Sequence, residues 1–130
     1  LDLMAYQRCL RSHDGRFDVP WGVDECLLAA LALGGQGGVG SSYNYAAAIY
    51  LRLIDAFKKG DLIAAQEEQY RSVRLIQFLS DFGYMAAAKA VMGMLGVPVG
   101  PPRLPNPPLE PGRYEKLRVG LERIGFFDWC

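Results

Sequence analysis

Apolar positions recur at helical spacing along most of the chain and at strand spacing in only two short places. Leu3, Met4, Tyr6 and Leu10, with Gln7 among them, fit an amphipathic helix, stopped by the turn chemistry of His13-Asp14-Gly15. Phe17-Asp18-Val19-Pro20-Trp21 then alternates apolar and polar, a strand pattern, although Pro20 removes one ladder donor. From Cys26 to Leu33 every residue is Cys, Leu or Ala, which favours a helix buried on much of its circumference and closed by Gly34-Gly35. Gly37–Ser41 is glycine-rich for a strand, but suits a short buried one that another backbone or a ligand must approach.

The remainder reads as four helices. Tyr50, Leu53, Ile54 and Phe57 share one face, and Lys58-Lys59-Gly60 supplies a basic last turn with a closing glycine. Asp61 is an N-cap for the next helix, whose inner side is expected to carry Tyr70, Val73, Ile76, Leu79 and Phe82 up to a stop at Gly83. Met85, Ala88, Met92 and Leu95 mark a third helix, ended by Gly96-Val97-Pro98. Residues 98–112 form a proline-rich strap, read as an ordered extended loop; a ligand for an SH3-type domain is the lesser reading, because the flanks look folded. Leu117, Leu121 and Ile124 carry the last helix, before Phe126-Phe127-Asp128-Trp129-Cys130. The expected order is helix, strand, helix, strand, then four helices.

Composition narrows the function classes. At 130 residues the chain is one domain by length and can bury a core. Fourteen basic and 14 acidic residues leave no net field to recruit nucleic acid or an anionic membrane. Cys9, Cys26 and Cys130, an odd number at wide spacing, form neither a disulfide framework nor a metal knuckle, which fits a cytoplasmic location. No apolar run reaches membrane-spanning length, and Leu1 opens without signal-peptide features. A chain opening at Leu1 rather than Met reads as a piece of something longer.

The chemistry centres on Trp21–Tyr45, where Asp24-Glu25 follows one expected strand and the hydroxyl pair Ser41-Ser42 stands at the end of the next. In a parallel α/β protein both sets project from the same rim, where carboxylates and hydroxyls suit a substrate with several hydroxyl groups. Asp24-Glu25 has a plainer reading as first-turn acids complementing a helix dipole. Gly35-Gln36-Gly37-Gly38-Val39-Gly40 satisfies GxGxxG, but the segment before it is Leu/Ala-rich and helical rather than a strand, so a dinucleotide site is disfavoured. His13 reads as a solvated turn residue, Cys26 as core, and Arg103 as a pin holding the strap to the body. One histidine and scattered cysteines write no zinc set. Lys58, Lys59, Lys89 and Lys116 all fall on or at the end of expected helices. None sits at a strand end, where a Schiff-base amine would be desolvated and aimed into a site.

The stretch GVDECLLAALALGGQGGVGSSYNY resembles the corresponding segment of the N-acetylneuraminate lyases, within the pyruvate-dependent aldolases that also hold dihydrodipicolinate synthase. KAVMGMLGVPVGPPRLP and DAFKKGDLIAAQEEQ look similar as well. The resemblance implies the C-terminal part of a (β/α)₈ barrel: Phe17–Trp21 as strand seven, Gly37–Ser41 as strand eight, and a helical extension. Residues 1–59 would end the barrel and 60–130 form the extension. It implies reversible aldol cleavage of a sialic acid to N-acetylmannosamine and pyruvate, without cofactor or metal, in a cytoplasmic homotetramer.

By resemblance, Gly22, Asp24 and Glu25, with Gly40 and Ser41, line the pocket for the sugar acid's hydroxylated tail. Glu25 and the Gly40-Ser41 pair side with the lyases over the synthases. The Schiff-base lysine, the tyrosine proton relay and the carboxylate-binding hydroxyl pair belong to family segments that precede Leu1, so the 130-residue chain alone is expected to be inactive. A related aldolase or dehydratase acting on another 2-keto acid remains open, as does a helical association module. Two strands cannot close a barrel. The expectation is therefore unpaired strand edges, an uncovered face at Leu27–Leu31, and poor autonomous stability or association.

Overall fold

The computed structural model describes residues 2–129. Six α-helices dominate it: α1 (Leu3–Arg11), α2 (Leu27–Ala32), α3 (Tyr43–Lys58), α4 (Leu62–Asp81), α5 (Tyr84–Met94) and α6 (Arg113–Ile124). Short 3₁₀ turns lie at Ser12–Gly15, Asp24–Cys26 and Phe126–Asp128. Asp2 caps α1 by accepting from Ala5 N at 2.8 Å, and Asp61 caps α4 by accepting from Ala64 N at 3.0 Å. His13 is exposed, in the left-handed turn that ends α1. No helix of the described residues is long and apolar enough to cross a membrane.

The two expected strands are reduced to one parallel bridge between Trp21 and Gly38. Trp21 N donates to Gly37 O (3.0 Å) and Val39 N donates to Trp21 O (2.9 Å). Pro20 has no N–H to extend the ladder, and the glycines opposite have no side chains to pack. An isolated two-stranded parallel pair is marginal in any case. The expected direction is kept: both segments run the same way, so Gly22–Glu25 and Gly40–Ser42 emerge side by side.

Around this bridge lies one apolar cluster, with Leu27, Ile49, Leu53, Leu75, Leu79, Leu117, Leu121 and Phe126 all fully buried. Leu27, Ala30 and Leu31 belong to it, so the face of α2 expected to be uncovered is covered by its neighbours, α3 and α4 among them. Tyr6, the buried residue of α1, closes the cluster. Its ring meets Trp21 edge-on at 4.7 Å and its hydroxyl donates to Val19 O at 2.9 Å.

Helix α4 packs against α2, α3, α5, α6 and the Asp24–Cys26 turn. Its buried stripe is Ala65, Glu68, Ser72, Leu75 and Leu79, whereas Tyr70, expected inside, is 60% exposed. The stripe differs because Glu68 and Ser72 have polar partners within the fold. Glu68 takes both forks of Arg52 at 3.1 Å and Arg71 at 2.5 Å, and Ser72 meets Tyr50. Helix α5 likewise turns Ala86, Ala87, Ala88 and Val91 inward and leaves Met85 and Leu95 exposed, since alanines let helices approach closely.

The strap is an extended loop over the surface, as expected. Arg103 is exposed, and the side-chain tie comes instead from Arg113, which donates to Asp81 O at 2.7 Å and lies over the Phe82 ring. Cys26 is half-buried at the end of its 3₁₀ turn, where burial first and Glu25 second push its thiol pKa up. Cys130 lies outside the described residues.

Candidate functional site: a polar cleft beyond the parallel bridge

Two loops build the site, each leaving one side of the Trp21–Gly38 bridge. Gly22, Val23, Asp24, Glu25 and Ser41 line a cleft of about 360 Å³ together with Ile76, Ser80 and Tyr84. Four of the five expected site residues therefore share one surface. Glu25, half-buried, also borders an adjoining hollow formed by Val73, Gln77 and Asp81 on α4.

The fifth residue, Gly40, stands behind them. A Cβ there would fall on the Asp24 carboxylate, nearest its Oδ1. The resemblance assigns this glycine to the substrate's approach; in the structure it is Asp24 that comes close to the backbone. Asp24 is only 5% exposed. Its Oδ2 accepts from Ser42 N at 2.9 Å and from the Ser42 hydroxyl. Ser42 thus spends its hydroxyl across the loop and makes no side-chain cap on α3, although it stands at the N-cap.

The hydroxyl chain continues inward. Ser42 Oγ meets Tyr50 OH at 2.5 Å, and Tyr50 OH meets Ser72 Oγ at 2.8 Å. Gln69 on α4 holds the same loop by its main chain, donating to Asp24 O at 3.2 Å and accepting from Leu28 N at 2.7 Å. At the cleft's other wall Ser41 Oγ meets Tyr84 OH at 2.7 Å, and Tyr84 OH meets Tyr45 OH at 3.0 Å. Tyr43 packs edge-on against Tyr50, and its buried hydroxyl has no hydrogen-bond partner among the described residues.

Burial is the main cause of the titration shifts. It raises Tyr50 to about 12, with the Ser72 hydrogen bond pulling down and the Asp24 charge pushing up. Burial, then the Tyr84 hydrogen bond, raise Tyr45; burial, then the Asp24 charge, raise Tyr43.

Tyr84, Ser80, Gln69, Tyr50 and Ser72 were not singled out as site residues by sequence reasoning. Each sits within a helix pattern that gives it no local distinction. Only the packing of α4 and α5 against the loops brings them in. No three His, Cys, Asp or Glu side chains gather closely enough to hold a metal ion among the described residues.

Carboxylates and hydroxyls gathered beyond the ends of two parallel segments, with helices packed outside, give an α/β arrangement with a polar cleft at the segment ends. More specifically, the chain belongs to the dihydrodipicolinate synthetase family, whose sequence profile matches residues 2–124. It is 39% identical over 130 residues to the N-acetylneuraminate lyase of Mus musculus, covering 98% of this chain and 41% of that protein. Among solved structures it resembles the N-acetylneuraminate lyase (sialic acid aldolase) of Aliivibrio salmonicida, with a TM-score of 0.90 and 44% identity over 96% of this chain and 42% of that one. The N-acetylneuraminate lyase of Proteus mirabilis gives a TM-score of 0.87 at 39% identity, over 93% and 41%. The chain thus spans about two-fifths of the length of each of these relatives.

Proposed function

We propose that the protein acts as an N-acetylneuraminate lyase and that this chain supplies the surface seating the sugar acid's hydroxylated tail. The carrying observation is the cleft itself, which brings Gly22, Asp24, Glu25 and Ser41 to one polar wall. Carboxylates and a hydroxyl there accept from and donate to a polyol. In this reading Glu25 and Ser41 contact the tail, Gly22 leaves backbone open to it, and Gly40 makes room for Asp24. Their role is orientation of the scissile bond rather than its breaking.

The reaction is class I aldolase chemistry. An amine condenses with the 2-keto group, retro-aldol cleavage releases N-acetylmannosamine and leaves an enamine, and hydrolysis frees pyruvate. Lys58 and Lys59 close α3, Lys89 lies in α5 and Lys116 in α6, and none of the four lines the cleft. The condensing amine is therefore assigned to a lysine other than these.

The experiment is pyruvate release from N-acetylneuraminate by the protein as isolated from its source, with borohydride trapping of the adduct and its mass. Release together with an adduct on a lysine other than these four is the expected result. No pyruvate and no adduct would sink the reading. Glu25→Ala should raise KM for N-acetylneuraminate about tenfold while leaving pyruvate trapping intact. An unchanged KM would remove Glu25 from the tail site.

A further inference from the structure

We infer that Tyr50 and Ser72, buried behind the cleft, are positioning residues for Asp24, holding its carboxylate through Ser42. The inference rests on the proposed lyase reading for its functional consequence, but its geometry stands apart from that reading.

The order of donors along the chain follows from proton counting. Ser42 has one hydroxyl proton and gives it to Asp24 Oδ2. Its oxygen must then accept from Tyr50, since both hydroxyls lie within 2.5 Å and Ser42 has no second proton to give. Tyr50, its proton spent on Ser42, must accept from Ser72 at 2.8 Å. Every donor in the line points toward Asp24, and bonds aligned in this way polarise one another.

Ser42 and Ser72 are fully buried, and Tyr50 is 3% exposed. Three hydroxyls in a dry interior stabilise a fold little more than apolar groups of the same shape would. What they add is direction. Asp24 Oδ2 is held by two donors from Ser42, while Oδ1 is held against Gly40. Burial pushes the Tyr50 pKa up to about 12, so its hydroxyl stays protonated and the line intact across the neutral range. Gln69, three residues before Ser72 on α4, grips the same loop through Asp24 O and Leu28 N. Side chain and main chain of the loop are therefore referred to one helix. That helix is far from Asp24 in sequence and would not be suspected from the motif.

The test is Tyr50→Phe and Ser72→Ala in the protein at its natural length. Each removes a hydroxyl and keeps most of the packing. The expected result is a rise in KM for N-acetylneuraminate of about tenfold for Tyr50→Phe and about threefold for Ser72→Ala, with kcat within about twofold. Borohydride trapping of pyruvate, which needs no tail contact, should be unchanged in both. Ser72→Thr keeps the hydroxyl and should restore KM. If Tyr50→Phe does not fold, the Ser72 pair decides. Unchanged KM in the folded variants would overturn the inference. If the unsubstituted protein releases no pyruvate, the lyase reading fails by itself, and the line is decided by proton NMR of the Ser42 hydroxyl. An upfield move of that resonance in Ser72→Ala supports the line; an unmoved resonance overturns it.

Discussion

At Gly40 the backbone lies so close to Asp24 that a Cβ would occupy the carboxylate's own position. The neighbour that must give way is itself buried and bonded to Ser42 on two atoms, so it has nowhere to go at low cost. Gly40→Ala should therefore cost about 1–3 kcal/mol of stability by overpacking and raise KM for N-acetylneuraminate at least about tenfold. Gly37→Ala is the matched control, because nothing lies within 4 Å of its added methyl. Thermal unfolding of both variants beside wild type decides it, and equal losses would show that glycine flexibility rather than Asp24 is at stake. A second prediction concerns Tyr50. Its folded pKa, raised to about 12, exceeds the ordinary tyrosine value of 10.0. Folding thus favours the neutral phenol. The associated stability is fully present below pH 10 and is lost progressively as pH rises from there through about 12. Denaturant midpoints measured between pH 9 and 12 should fall, and Tyr50→Phe should flatten that fall. A fall of equal slope in the variant would place its cause in the other buried tyrosines.

Among the elements, α4 carries the most consequence, because it touches both the core and the site loop. Leu75, fully buried at its middle, should cost about 2–5 kcal/mol when cut to alanine, read as a shift in denaturant midpoint. A loss under 1 kcal/mol would mean the core closes over the gap. The same helix shows what a sequence does and does not disclose. Its start was legible in Asp61, whose carboxylate accepts from Ala64 N, because capping is a local transaction between neighbours. Its inner face was only partly legible. Leu79 is buried as the periodicity requires, but Tyr70 is exposed, and the stripe passes through Glu68 and Ser72. Those two are buried because Arg52, Arg71 and Tyr50 meet them there, and no single-helix pattern contains that information. The site divides in the same way. Gly22, Asp24, Glu25 and Ser41 were legible as a cluster, since both loops follow parallel segments. Tyr84 and Tyr50 reach the site only through tertiary packing, so nothing local marked them.

For the molecule as a whole, the decisive feature is how little sheet the described residues contain. Six helices build a closed apolar cluster that buries even the Leu/Ala helix α2. The parallel pairing at its centre is nevertheless a single bridge, with two main-chain hydrogen bonds. Phe17 and Val39, which flank that bridge along the chain, are 48% and 71% exposed. Backbone groups beyond such a short pairing must find water or another chain, and apolar side chains beside them favour the second. The helical cluster and the bridge therefore pull in different directions. The first supports a folded unit, whereas the second leaves an adhesive edge. The expected outcome is a chain with helical circular dichroism whose mass in solution exceeds the monomer's 14.4 kDa and rises with concentration. Val39→Lys puts a charge at the exposed edge without touching the buried cluster, and should lower that mass toward the monomer. Light scattering over a concentration series reads both. A monomer at every concentration, unfolding in one cooperative transition, would show that the helices alone suffice and that the open bridge carries no association.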